Sequence, residues 1–532
     1  MKKKICWVSA ALMAATVLSS QTPAPEIGPA AQPDLQTFSQ AVRTLRRTGA
    51  ASDEVKAKAD KLLAEGGRRG VAGAYALLSG KPWDEKQEFA WSLVLRSGAA
   101  VADSSLPFIA HLTQSYPAVL KTAGPMKVRL SVYADCVRCD AAPVVLSEAD
   151  ISPRDFIEQP FGLDADLKSL PDGPYILSAE LRENAAPLFR ANTPVQLVKG
   201  IAVDRAAVEA RLARVQGHEG AKATVRYPYF LAATVNAGRR QWSAADFGLP
   251  YQPQPIYDFS AGIRHSGEVL KALEAGRDPV YRAKGDQERH YPFEEAREMM
   301  AYHLYAPVKW DGKSKLPMVL VLHGNTRDQD YYFDRDDHIL ARLAEQHGYL
   351  VVCPMGYRPN AGWGSGSLRP AGAGRGGFAP DPSRLKQGEL SEKDALNVLD
   401  LVTKEYPVDP ARIDLFRHSA GGGGAWYMGE KYAEKWAAVA TSAAPTRPDG
   451  FPFSRLKGMP MLICHGDKDD EVPVASSRNM VKAAKENGLD PQYLEVPGAT
   501  HLTVVALVEP KDFDFFDQHP PQELSTRGEA SP

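Results

Sequence analysis

Between about Asp34 and Ala123 apolar residues recur at helical spacing: Leu35, Phe38, Val42 and Leu45 fall on one face, and Asp34 is placed as an N-cap. Further helices are predicted over 53–65, 84–97 and 107–121, with no fixed repeat that would mark a solenoid. The period shortens to two near Met126. Val128, Leu130 and Val132 alternate with polar residues, and Tyr175, Leu177, Ala179 and Leu181 do the same after the turn Pro171-Asp172-Gly173. Short alternating strands broken by Pro, Gly and Asp predict a small β-sandwich over 126–200. A more charged, helical connector follows over 201–285, with helices over Arg205 to Gln216 and Ser266 to Ala275, interrupted by YQPQPIYD at 251–258.

Beyond this point β-like apolar runs (MAYHLYAP, LPMVLVLHG, YLVVCPMG, RIDLF and MPMLICHGD) alternate with helical segments at about 337–347, from Ser391 to Glu405 and after Ser419. Such alternation predicts an α/β domain over 286–520, a mostly parallel sheet covered by helices on both faces. The expected organisation is a helical region (30–125), a β-sandwich (126–200), a helical connector (201–285) and this α/β domain. In such sheets ligands sit at the carboxyl ends of the strands.

LFRHSAGGGGAW, residues 415–426, lies at such an end. RIDLF supplies the strand, His418-Ser419-Ala420 a tight turn, and Gly421 to Gly424 open a helix, the setting in which a serine is exposed as a nucleophile. A serine in a Gly-rich loop can also simply cap a helix. Two further motifs follow in the order Ser, Asp, His: MLICHGDKDDEVPV (461–474) with Asp469, and EVPGATH (495–501) with His501. In this constellation His501 takes the serine proton and returns it to the leaving group, while Asp469 fixes the imidazole tautomer. Asp467 and Asp470 flank Asp469 and are the competing choices. The oxyanion formed by serine attack needs preorganised donors. The amide of Ala420 is one, and the loop after LVLHG supplies the second, from Asn325 or Thr326. His323 in that loop is read as structural.

These motifs carry a resemblance. LVLHG (320–324), SEKDALNVLDLVTKEYPVDPARIDLF (391–416), HSAGG (418–422), HGDKDDEVP (465–473) and GATH (498–501) make residues about 299–515 resemble the α/β-hydrolase superfamily. The branch is that of secreted esterases similar to polyhydroxybutyrate depolymerases, feruloyl esterases and prolyl-oligopeptidase-like hydrolases. The resemblance implies hydrolysis through a covalent acyl-enzyme with no metal or organic cofactor, and structural roles for Asp394 and for the turn at Asp409, Pro410, Arg412 and Ile413. One position departs from the pattern. Arg417 stands where the family has glycine, two residues before Ser419, at a turn whose flanking side chains are expected to approach one another. Three readings are open: an arginine paired with a nearby acid, an anion contact facing substrate, or a decayed turn in an inactive protein.

Composition narrows the partners. With 63 basic and 65 acidic residues and no long block of either sign, nucleic acid is not an expected partner. Lys2 to Lys4 followed by an apolar run from Ile5 to Leu18 reads as a signal peptide over 1–20, too short to span a membrane, so the protein is expected to be exported to the periplasm or the exterior. Cys136 and Cys139 in DCVRCD lack a thioredoxin-like setting and suggest a local disulfide rather than a redox pair or a zinc site. Trp363, in the Gly-rich loop 360–377, is a candidate aromatic wall, and Tyr331, Tyr332 and Phe333 are either pocket lining or packing. The leading expectation is a serine hydrolase acting on small-molecule or polymer-linked carboxylic esters. The alternatives are a secreted serine peptidase of prolyl-oligopeptidase type and a non-catalytic binding protein.

Overall fold

The computed structural model describes residues 35–519 except 66, 81–83, 122–123, 135–141, 157–159, 237–256 and 369–381. The segment read as a signal peptide and the DCVRCD motif therefore lie outside the described residues. The chain divides into two compact units, Met1–Ile201 with Val235–Tyr251, and Ala202–Thr234 with Gln252–Pro532.

The first unit begins with helices α1 (Leu35–Thr48), α2 (Asp53–Glu65), α3 (Gly67–Ser79) and α4 (Glu85–Ser92). Phe38, Val42, Leu63, Val71 and Leu78 bury one face of α1 to α3 against Trp91. A capping box starts α4: the Gln87 amide donates to the Asp84 carboxylate at 2.8 Å, and the Asp84 amide to the Gln87 side chain at 3.0 Å. The chain then leaves the helix earlier than its sequence predicts. Residues 93–97 form strand β1 (Leu93–Ser97), followed by β2 (Val101–Ala102), and the expected helix over 107–121 contains β3 (Phe108–Gln114). In β3 Phe108, Ala110 and Leu112 are buried while the residues between them are not, so only a period of two covers these apolar side chains.

Strands β4 (Met126–Ala134), β5 (Val144–Ile151), β6 (Phe161–Ala165), β7 (Gly173–Glu183) and β8 (Ala186–Leu197) complete the unit. They form a three-stranded sheet, β1-β3-β6, and a five-stranded sheet, β2-β8-β7-β4-β5. Leu93, Phe108, Leu112 and Leu163 of one sheet share a core with Val128, Leu130, Leu177, Leu181 and Phe189 of the other. The sandwich thus runs from residue 93, not 126.

In the stretch expected to be a connector the helices are α5 (Ile201–Leu212), α6 (Glu219–Asn236) and α7 (Phe259–Glu274). The second unit is built on strands β9 (Gly285–Phe293), β10 (Glu298–Ala306), β11 (Leu316–Leu322), β12 (Leu350–Pro354), β13 (Val408–His418), β14 (Val439–Ser442), β15 (Met461–Gly466) and β16 (Gln492–Val496). Between and after them run α8 (Tyr331–Asp334), α9 (Ile339–His347), α10 (Pro382–Glu405), α11 (Ala420–Lys431), α12 (Ala475–Glu486) and α13 (Thr503–Gln518). The strand order is β16-β15-β14-β13-β11-β12-β10-β9. Neighbours from β16 to β12 are parallel, and β10 pairs antiparallel with both β12 and β9.

Every residue of β11 is buried, because both faces of the sheet are covered. Met318, Leu320, Leu415 and Ile463 pack with Val398, Trp426, Met428 and Met480 of α10, α11 and α12. The alternate residues Val319, Val321, Phe416 and Leu462 pack with Leu340 and Leu343 of α9 and Val504, Val508 and Phe513 of α13. After β11 the chain goes to β12 on one side and then returns to β13 on the other. The carboxyl ends of β11 and β13 therefore flank the switch in strand order, where such sheets open a crevice.

Candidate active site

Leu322 pairs with Arg417 and His418 with Ser442, so the chain leaves β11 and β13 side by side. Ser419, the residue after β13, has φ 58° and ψ −126°, a conformation that a side-chain-bearing residue adopts only under constraint. The constraint is visible: its amide donates to the Ser442 carbonyl at 2.9 Å, and its own carbonyl accepts from Gly423 at 3.0 Å, opening α11. A Cβ on Gly421 would lie 1.8 Å from the Leu322 carbonyl oxygen. Gly421 is thus required by the approach of α11 to the end of β11, and not by the side chain at 417 as the sequence suggested.

His501 lies between β16 and α13, and its Nε2 is 2.9 Å from the Ser419 Oγ. Its Nδ1 is 2.7 Å from Asp469 Oδ2, on the loop after β15. Asp469 Oδ1 accepts from the amides of Glu471 at 2.9 Å and Val472 at 2.7 Å. Burial alone would raise its carboxyl, but hydrogen bonds from His465, His501 and the Val472 amide outweigh this and hold it well below the usual carboxylate range. Asp467 accepts instead from the Gly498 amide at 2.6 Å, and Asp470 is exposed. Of the three candidate acids, Asp469 is the one that reaches the imidazole.

Three side chains on different loops, in the order Ser, Asp, His, thus converge at the carboxyl edge of a mostly parallel sheet, with the serine on a strained strand-to-helix turn. The second unit has the α/β-hydrolase fold.

Two histidines in this unit support the arrangement, and neither was singled out from the sequence. His465, the next-to-last residue of β15, has its Nε2 3.1 Å from Asp469 Oδ2 and its Nδ1 2.7 Å from the Ser477 Oγ. His418 is buried, its ring centroid 4.5 Å from that of His501, and its Nε2 donates to the His501 carbonyl at 2.8 Å. Burial and the neighbouring His501 push its pKa well below the ordinary imidazole value. The one signal available was position, since each histidine stands at the carboxyl end of a strand that leads into the site.

A Cβ on Gly324 would lie 3.5 Å from the Ser419 Cβ, so the loop after β11 rests on the serine. The Thr326 amide already donates to Asn360 Oδ1 at 2.9 Å and the Pro359 carbonyl at 3.1 Å. Of the two candidates in this loop, the Thr326 amide is thus already engaged. Ala420 is the first residue of α11, where an amide has no acceptor within its own helix. His323 is buried, and its Nε2 donates to the Met355 carbonyl at 2.7 Å.

Arg417 is 1% exposed and makes an ion pair with Glu509 of α13, itself 0% exposed. Its guanidinium carbon lies 3.4 Å from the ring centroid of Tyr332 and 4.4 Å from that of Phe416. Of the three readings of this arginine, the structure places it in the first, paired with an acid. A substrate contact is ruled out by its burial.

The proposed aromatic wall is also corrected. Trp363 is buried, donates from its indole nitrogen to the His323 carbonyl at 2.9 Å, and fills space beside Gly356 and Gly424 where a Cβ would collide with it. Tyr332 and Phe333 are fully buried packing residues, whereas Tyr331 is half-buried beneath Arg327 and Arg335. Asp394 is buried and accepts from the Tyr291 hydroxyl at 2.5 Å and the Tyr357 amide at 3.0 Å.

No family model matches the chain. A bifunctional acetylxylan esterase/xylanase of Neocallimastix patriciarum is 27% identical over 169 residues, 32% of this chain and 21% of that protein, so the chain matches about a fifth of its relative's length. Among solved structures, the ferulic acid esterase of Anaeromyces mucronatus aligns at 17% identity over 45% of this chain and 94% of its own, with a TM-score of 0.36. The S-formylglutathione hydrolase of Agrobacterium tumefaciens aligns at 16% identity over 45% of this chain and 97% of its own, also with a TM-score of 0.36.

Proposed function

We propose that the second unit is a serine hydrolase that cleaves carboxylic esters through an acyl-enzyme on Ser419. The observation that carries this reading is the pair of hydrogen bonds at His501, 2.9 Å to Ser419 and 2.7 Å to Asp469, on a turn that holds the serine in a strained conformation. Asp469, kept ionised, fixes the Nδ1–H tautomer and leaves Nε2 free to accept the Ser419 proton. Ser419 Oγ then attacks the carbonyl carbon, and the resulting oxyanion receives the Ala420 and Asn325 amides. When the tetrahedral intermediate collapses, the bond to the alcohol oxygen breaks and that oxygen takes the proton from His501 Nε2. Water, activated by the same imidazole, releases the acid and restores Ser419.

An ester specificity agrees with one of the two activities in the name of the relative, a bifunctional acetylxylan esterase/xylanase. A peptidase would use the same relay on an amide. The burial and pairing of Arg417 weaken the third reading, a decayed turn. The lysine-led apolar segment at the N-terminus supports an exported protein, and no helix among the described residues is long and apolar enough to cross a membrane.

The test is labelling with a fluorophosphonate followed by peptide mass spectrometry, beside kinetics on acetyl, feruloyl and hydroxyalkanoate esters and a proline-containing peptide amide. The adduct is expected on Ser419, and Ser419→Ala is expected to lower kcat by about 10⁴- to 10⁶-fold. A folded protein that hydrolyses esters but carries no label at Ser419 would refute the assignment. Turnover of the amide in preference to every ester would favour the peptidase.

A further inference from the structure

Glu471 stands two residues after the aspartate that orients His501, and the established geometry leaves it unused. Its amide is held by Asp469 Oδ1 at 2.9 Å, so its backbone is fixed by the same turn that fixes the relay. Its side chain is 59% exposed, and Oε2 lies 3.8 Å from His501 Nε2, the nitrogen that faces Ser419. Among the described residues no lysine or arginine pairs with it. The imidazole thus has a carboxylate on each side: a buried one at Nδ1 and an uncompensated, solvent-facing one at Nε2.

Resting on the reading of Ser419, His501 and Asp469 as an esterase relay, we propose that Glu471 is a specificity-determining residue that selects uncharged or cationic leaving alcohols and rejects anionic ones. The alcohol oxygen must come within about 3 Å of His501 Nε2 to take its proton. A substituent one ring or a few bonds beyond that oxygen then passes within several ångströms of the Glu471 carboxylate. At such a distance, in partly solvated surroundings, one unit charge on the alcohol changes the rate constant by about 3- to 10-fold, upward for a cation and downward for an anion. The acyl side of the substrate lies on the serine and is not addressed by this carboxylate.

The experiment compares two acetyl esters of similar size, 3-(trimethylammonio)phenyl acetate and 3-sulfophenyl acetate, on the full-length protein, Glu471→Gln and Glu471→Lys. The readout is the ratio of kcat/KM for the cationic ester to that for the anionic one, in which the intrinsic reactivities of the esters cancel between proteins. The ratio is expected to fall about tenfold or more in Glu471→Gln and further in Glu471→Lys. The difference between proteins is expected to shrink in about 1 M salt, where the Debye length is about 3 Å. A ratio that stays within about twofold of wild type in both variants overturns the proposal while leaving the relay intact. A wild-type protein that turns over neither ester nor the neutral acetyl ester overturns the esterase reading, and this proposal with it.

Discussion

Replacing Glu509 with Gln removes the carboxylate that faces the Arg417 guanidinium behind the Ser419 turn, where both side chains are essentially inaccessible to water. An isolated charge at such a site is costly, and breaking a buried pair typically destabilises by about 3–5 kcal/mol. Two features of this site reduce that figure. The Gln amide oxygen still accepts a hydrogen bond from the guanidinium. Asp512, one turn further along α13, supplies a second carboxyl near the cation: burial pushes its pKa well above the ordinary value, the Arg417 charge opposes this, and the Glu509 charge adds to it. Neutralising Glu509 removes that last contribution and so shifts Asp512 toward its ionised form beside the guanidinium. Glu509→Gln alone is therefore expected to cost about 1–2 kcal/mol, and Glu509→Gln with Asp512→Asn about 3–5 kcal/mol. For a unit of this size each kcal/mol lowers Tm by about 1–2 °C. The assay is scanning calorimetry at neutral pH, following the transition that coincides with loss of fluorophosphonate labelling. Arg417→Met with Glu509→Leu, which substitutes apolar side chains of similar volume, is expected to stay within about 1 kcal/mol of wild type or exceed it. Arg417→Gly, which a decayed turn would tolerate, is expected to destabilise because it strands Glu509 and empties the space over Tyr332. The reasoning is refuted if the double neutralisation costs no more than the single one, or if neither shifts Tm measurably.

Gly421→Ala places a methyl group 1.8 Å from the Leu322 carbonyl oxygen, so α11 must move away from β11. Overpacking of this kind costs about 1–3 kcal/mol, and a displacement of about 1 Å at Ser419 lowers kcat by about 100-fold, measurable by calorimetry and ester kinetics. His303 sits between Asp286 and Asp330, with Nδ1 2.7 Å from Asp330, and their hydrogen bonds outweigh burial and raise its pKa to about 9. A histidine whose folded pKa is raised contributes stability that is fully present below its unfolded value near 6.5 and is lost as pH rises through about 9. The unit is therefore expected to lose about 3 kcal/mol from this group between pH 6.5 and 9.5 in urea titrations, and His303→Gln to flatten that slope; an unchanged slope would refute the assignment.

What the sequence determined by itself was everything that depends on local spacing. Apolar runs of strand length, such as LPMVLVL, bounded by polar turns, read as strands buried on both faces, and the order of Ser419, Asp469 and His501 after such runs singled out the three side chains that the fold brings within hydrogen-bonding reach. The same local logic misplaced residues 93–114, where short apolar stretches fit a helix as well as a strand until a facing sheet decides which residues need burial. The tertiary structure alone decided which distant groups meet. Arg417 finds Glu509 on a helix 92 positions away, His418 supports the His501 backbone, His465 the Asp469 carboxylate, and Trp363 turns inward because Gly356 and Gly424 leave it room. These outcomes follow from the strand order, which brings the ends of β11, β13, β15 and β16 to one edge of the sheet. A buried charge or ring is stable only beside the particular partners that this edge delivers, and no periodicity along the chain encodes who those partners are.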